Sequence, residues 1–71
     1  MNEEAFNISL RKLLKQFGVT AQREVEKAVD EAIKAGRLRG MESLPARATM
    51  RVEGLDAEVV VEGRIALAVP P

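Results

Sequence analysis

Leu13-Leu14-Lys15-Gln16-Phe17-Gly18-Val19-Thr20-Ala21 decides the fold, because a glycine and, two residues later, a threonine stand between two apolar segments of helical period. Glycine is the residue that most readily takes the left-handed conformation ending a helix. Threonine is a good N-cap, its hydroxyl accepting from a free amide of the first turn. Read this way, Gly18 stops one helix and Thr20 starts another. Upstream, Asn2 is a second N-cap candidate, Glu3 and Glu4 suit the positive end of the helix dipole, and Phe6, Leu10, Leu13, Leu14 and Phe17 recur on one face. The spacing predicts a helix over about 3–17. Downstream, Ala21, Val25, Ala28, Val29, Ala32 and Ile33 form a stripe with Gly36 as its stop, which predicts a helix over about 21–35. Lys27 with Glu31 and Asp30 with Lys34 are i,i+4 pairs on the opposite face. The alanines of the second stripe favour close packing against the first helix or a sheet. Ile8 departs from the pattern, pointing roughly 180° from the Phe6 and Leu13 stripe at 100° per residue, among Arg11, Lys12 and Lys15.

The period then changes from helical to alternating. Residues 37–45 hold Gly40 and Pro45 and read as a loop with a short extended stretch at Leu38. Ala46, Ala48, Met50 and Val52 alternate with Arg47, Thr49, Arg51 and Glu53, giving a strand over about 46–53. Val59, Val61, Ile65, Leu67 and Val69 alternate with Glu58, Val60, Glu62 and Arg64, giving a second strand over about 56–69. A two-residue turn at Gly54-Leu55, glycine first, sets Glu53 against Asp56, Arg51 against Glu58 and Arg47 against Glu62. A loop two residues longer would set Arg47 against Arg64, so charge favours the tight register. The expectation is one small α+β domain over 1–71, two amphipathic helices packed on a β-hairpin in ααββ order, with Pro70-Pro71 as a frayed end.

A chain of 71 residues has room for a single core of about 3–5 kcal/mol, a marginal amount without help. It contains no cysteine and no histidine, which removes disulfides, thiolate sites and the usual zinc ligands as that help. Packing and self-association remain. Eleven basic and eleven acidic residues cancel, so no net field draws the chain to nucleic acid or anionic lipid. No run approaches the ~18 apolar residues of a membrane span, and the expected setting is cytoplasmic. No cofactor, metal or small-molecule ligand is expected.

Two motifs bear on function. Gly18-Val19-Thr20 between helices resembles the turn of a helix-turn-helix reader, with the hairpin as a wing and Arg37, Arg39, Arg47 and Arg51 as candidate nucleic-acid contacts. Against it, Arg23 stands where that pattern wants an apolar residue, and Glu24, Glu26, Asp30 and Glu31 would repel phosphate. The only aromatics, Phe6 and Phe17, lie on the apolar stripe and leave nothing for base stacking. Catalysis has no activated nucleophile: none of Ser9, Ser43, Thr20, Thr49 or the lysines sits in a recognisable activating arrangement, so the chain reads as no enzyme. Ile8 and Val60, apolar on outer faces, are the candidate protein interface. With a two-stranded sheet offering free edges, they make a self-associating interaction module, expected as a homodimer, the first reading. A winged-helix-like nucleic-acid binder is the alternative.

Asn2-Glu3-Glu4-Ala5-Phe6-Asn7, Phe17-Gly18-Val19-Thr20, Gln22-Arg23-Glu24, Glu53-Gly54-Leu55-Asp56 and Val61-Glu62-Gly63, in that order, resemble a family of short bacterial single-domain proteins of unknown function. The resemblance covers nearly the whole length. It implies a stand-alone bacterial cytoplasmic protein and supplies no catalytic or binding residue.

Overall fold

The computed structural model describes residues 1–69. One helix, α1, runs unbroken over Glu3–Lys34, and two strands follow, β1 over Ser43–Arg51 and β2 over Glu58–Ala66. The two helices expected at 3–17 and 21–35 are therefore one, and the order is helix then hairpin. Gly18 keeps an ordinary helical sense, the left-handed glycines being Gly36, Gly40 and Gly54, and Thr20 caps nothing. The energetics explain the outcome. A mid-helix glycine costs about 1 kcal/mol relative to alanine, whereas a break there would strand four carbonyls and four amides at the new ends. The two stripes are also in phase. Phe17 and Ala21 are four residues apart, so continuing the helix merges them into one apolar band, of which all but Val29 and Ile33 fall within about 120° of arc.

Both true ends are capped. Asn2 is extended, and its Oδ1 accepts from the Ala5 N–H at 3.0 Å. At the other end Gly36 has φ of 79°, its N–H donates to the Ile33 carbonyl at 3.0 Å, and the Arg37 N–H donates to Ala32 at 2.9 Å. This pair of bonds is a Schellman motif, which needs the left-handed residue that glycine supplies. Of the expected i,i+4 pairs, Asp30 and Lys34 meet at 2.9 Å. Helix and cap make up a first compact unit, Met1–Arg37; the second begins at Leu38.

The second unit starts with a loop organised by one carboxylate. The N–H groups of Arg39, Gly40 and Met41 all donate to Glu42, at 2.9, 2.9 and 3.0 Å. Gly40 has φ of 89°, the backbone sense that glycine tolerates without strain. These bonds, the Arg39 amide first, hold the Glu42 carboxyl below the usual carboxylate range, since each favours the charged form. The chain is thereby aimed into β1 three residues earlier than expected. Pro45 lies within that strand, opposite Arg64. A two-stranded sheet has only edge strands, and there a missing N–H need not cost a ladder bond.

The antiparallel register is the one that charge pairing selects, with Arg51 opposite Glu58 and Arg47 opposite Glu62. The turn differs. Strand pairing stops at Arg51 and Glu58, and the tight bend has Glu53 and Gly54 at its centre, closed by the Leu55 N–H on the Val52 carbonyl at 3.1 Å. Gly54, with φ of 93°, takes the third position of the turn, where a type II bend requires positive φ. Glu53 and Asp56 thus escape being held face to face as a strand pair. One face of the hairpin carries Leu44, Ala46, Ala48 and Met50 against Ile65, Gly63, Val61 and Val59; the other carries Pro45, Arg47, Thr49 and Arg51 against Arg64, Glu62, Val60 and Glu58. The strand expected to continue to Val69 ends at Ala66, and the frayed end expected at Pro70-Pro71 lies outside the described residues.

The continuous helix makes opposite demands on its two glycines. Nothing lies within 4 Å of a Cβ added at Gly18, so Gly18→Ala is expected to stabilise the chain by about 1 kcal/mol. Gly36→Ala should destabilise it by about 1–2 kcal/mol through its left-handed backbone. Thermal melting followed by circular dichroism reads both; destabilisation by Gly18→Ala would mean that the glycine ends a helix. Because folding lowers the Glu42 pKa, its contribution to stability is present above the usual carboxylate range and fades as pH falls through the folded value. Hydrogen-exchange protection of the Arg39, Gly40 and Met41 amides should fall with it, and Glu42→Gln should reduce that protection at neutral pH.

Candidate functional site

Each unit, taken by itself, presents an uncovered apolar face. On α1 the residues follow from helical spacing: Phe6, Leu10, Leu13, Leu14, Phe17, Ala21, Val25, Ala28 and Ala32 lie along one side. Phe6, Leu13 and Phe17 expose 50%, 52% and 55% of their surface. On the hairpin, Val59 and Val61 expose 56% and 63%. None of the described residues is buried. A small soluble domain ordinarily buries side chains of this kind, each worth about 1.5–3 kcal/mol when removed from water. The stripe, read in the sequence as the inner faces of two helices, is one continuous row on the helix unit.

The two residues singled out for exposure stand elsewhere. Ile8 is across α1 from the stripe, on the same side as Val19, and is 60% exposed. Val60 is opposite Thr49 on the charged face of the hairpin and is less exposed, at 39%.

The four candidate nucleic-acid arginines divide between the units. Arg37 closes the C-cap of α1, and Arg39 gives its backbone amide to Glu42. Arg47 and Arg51 share one face of β1, each opposite a glutamate, and Arg47 Nε is 3.8 Å from Glu62. Arg64, on the same face, donates to the Ser43 carbonyl at 2.7 Å and to its hydroxyl at 3.0 Å. This face alternates in sign, which is poor complement to a run of phosphates. The helix-turn-helix reading loses its turn altogether, since Gly18-Val19-Thr20 is helix interior.

The polar side chains are mostly engaged locally. Ser9 donates to the Phe6 carbonyl at 2.9 Å, and Ser43 accepts from Arg64. A depression of about 420 Å³ is bordered by Pro45, Ala46, Arg47, Glu62, Gly63 and Arg64, where Gly63 contributes no side chain. It is an open dish on a two-stranded sheet, not an enclosure able to surround a small molecule. Among the described residues no group of three or more acidic side chains is placed to hold a metal ion, and no helix is long and apolar enough to cross a membrane.

No curated protein and no solved structure matches the chain. The model of a family of unknown function, DUF6494, matches residues 1–68, and the chain belongs to that family.

Proposed function

We propose that the chain is a non-enzymatic interaction module that associates with a second copy of itself through the apolar stripe of α1. The observation that carries this reading is the half-exposed row of Phe6, Leu13 and Phe17. Size supports a partner beyond the chain's own hairpin. From Phe6 to Ala32 the stripe is about 39 Å long at 1.5 Å per residue, whereas a nine-residue strand spans about 30 Å. The hairpin face is shorter than the stripe and only two strands wide, so it could not cover the whole of it. A chain without histidine or cysteine, whose serine hydroxyls are already hydrogen-bonded, supports the non-enzymatic part. Ile8, across the helix, stays outside such a contact.

Sedimentation equilibrium at micromolar concentration tests the reading. The expected mass is twice the 7.8 kDa of the chain. Leu10→Lys and Phe17→Lys should each weaken association by about 30-fold, the equivalent of roughly 2 kcal/mol of lost burial. Ile8→Lys and Val60→Lys should leave the mass unchanged. A monomer across the concentration range rejects self-association, and a full dimer in Leu10→Lys rejects the stripe as its seat.

A further inference from the structure

We infer that the two copies of α1 pair antiparallel, the bulky half of each stripe seated on the small-residue half of the other; this rests on the self-association proposed above. The stripe positions 6, 10, 13, 17, 21, 25, 28 and 32 are separated by steps of four, three, four, four, four, three and four residues, the same series in either direction. A helix turned end for end about its midpoint near Val19 therefore meets its own spacing. In that register Phe6 faces Ala32, Leu10 faces Ala28, Leu13 faces Val25 and Phe17 faces Ala21. Every layer then holds one larger and one smaller side chain, which suits a uniform separation between the axes. A parallel pair would set Phe6 on Phe6 and Ala28 on Ala28. Helix separation runs from about 8 to 10 Å with side-chain size, so that pair would be wide at one end and narrow at the other.

The flanks of the stripe agree. Val29 borders it on one side, and Glu24 and Glu31 lie at the other edge. A two-fold axis perpendicular to the helices brings like flanks together, apolar with apolar. An axis parallel to them would set Val29 beside the flank that carries Glu31.

The chain has no cysteine of its own, so a single introduced thiol carries a spin label without background. Glu4→Cys and Lys15→Cys place labels off the stripe on the full chain. At 1.5 Å per residue, antiparallel pairing about the midpoint separates the two Glu4 positions by about 45 Å along the axis and the two Lys15 positions by about 12 Å. The expected result by pulsed electron resonance is a long distance at position 4 and a short one at position 15. Short distances, within about 20 Å, at both positions would show parallel pairing and overturn this inference while leaving self-association intact. Long distances at both would take the contact away from α1. Absence of any interspin coupling would overturn self-association as well.

Discussion

Continuity of the backbone hydrogen-bond ladder through Gly18 is the constraint on which the rest of the structure depends. Had the chain stopped there, two short helices could have folded against each other and hidden their apolar faces. A single helix of 32 residues has no such option, because one straight rod cannot fold its stripe onto itself. Continuity also removes the turn on which a helix-turn-helix reading relies. One mid-helix glycine thus decides between a helical unit that could fold its stripe onto itself and one that cannot.

What could be read from the sequence was whatever a single local rule determines. Asn2 and Gly36 cap the helix as their residue types predict, because each stands at a true end with no competing use. The strand register was legible because Arg47 and Arg51 find glutamates in only one of the two pairings considered. Gly18-Val19-Thr20 was not legible in the same way. Its residues satisfy stop and start rules equally well whether or not the helix breaks, and the deciding fact is the common phase of the two stripes across it. Phase is a property of some thirty residues, and reading each stripe by itself conceals it. At the turn, register and bend separate: the pairing survives when the strands stop short, but Gly54 moves to the third position of the bend because positive φ is needed there. The Glu42 loop was missed because three consecutive amides gathered by the next carboxylate leave no periodic trace.

Inward and outward, read along the sequence, are set by the periodic stripe: Ile8 and Val60 stand off it, and the stripe itself is taken as the interior. With none of the described residues buried, the exposed residues of interest are those that the periodic pattern had assigned to the interior. The arginines show what register adds. Arg47 and Arg51 look like a basic cluster along the sequence, yet the register that the same side chains enforce gives each a facing glutamate.

The two units draw on different forces, and this bears on how a chain so short can hold its structure. An isolated two-stranded hairpin is marginal in water. The helix is long enough to gain from cooperative propagation and has both ends capped, so its ladder is made of local bonds only. Its weakest point, Gly18, lies near the middle, where fraying from either end arrives last. Any partner that covers the stripe in the helical state stabilises that state by mass action. The free energy of association and that of helix formation therefore add, and an antiparallel partner would lay its own central residues across the glycine, adding contacts where the helix itself is least favoured.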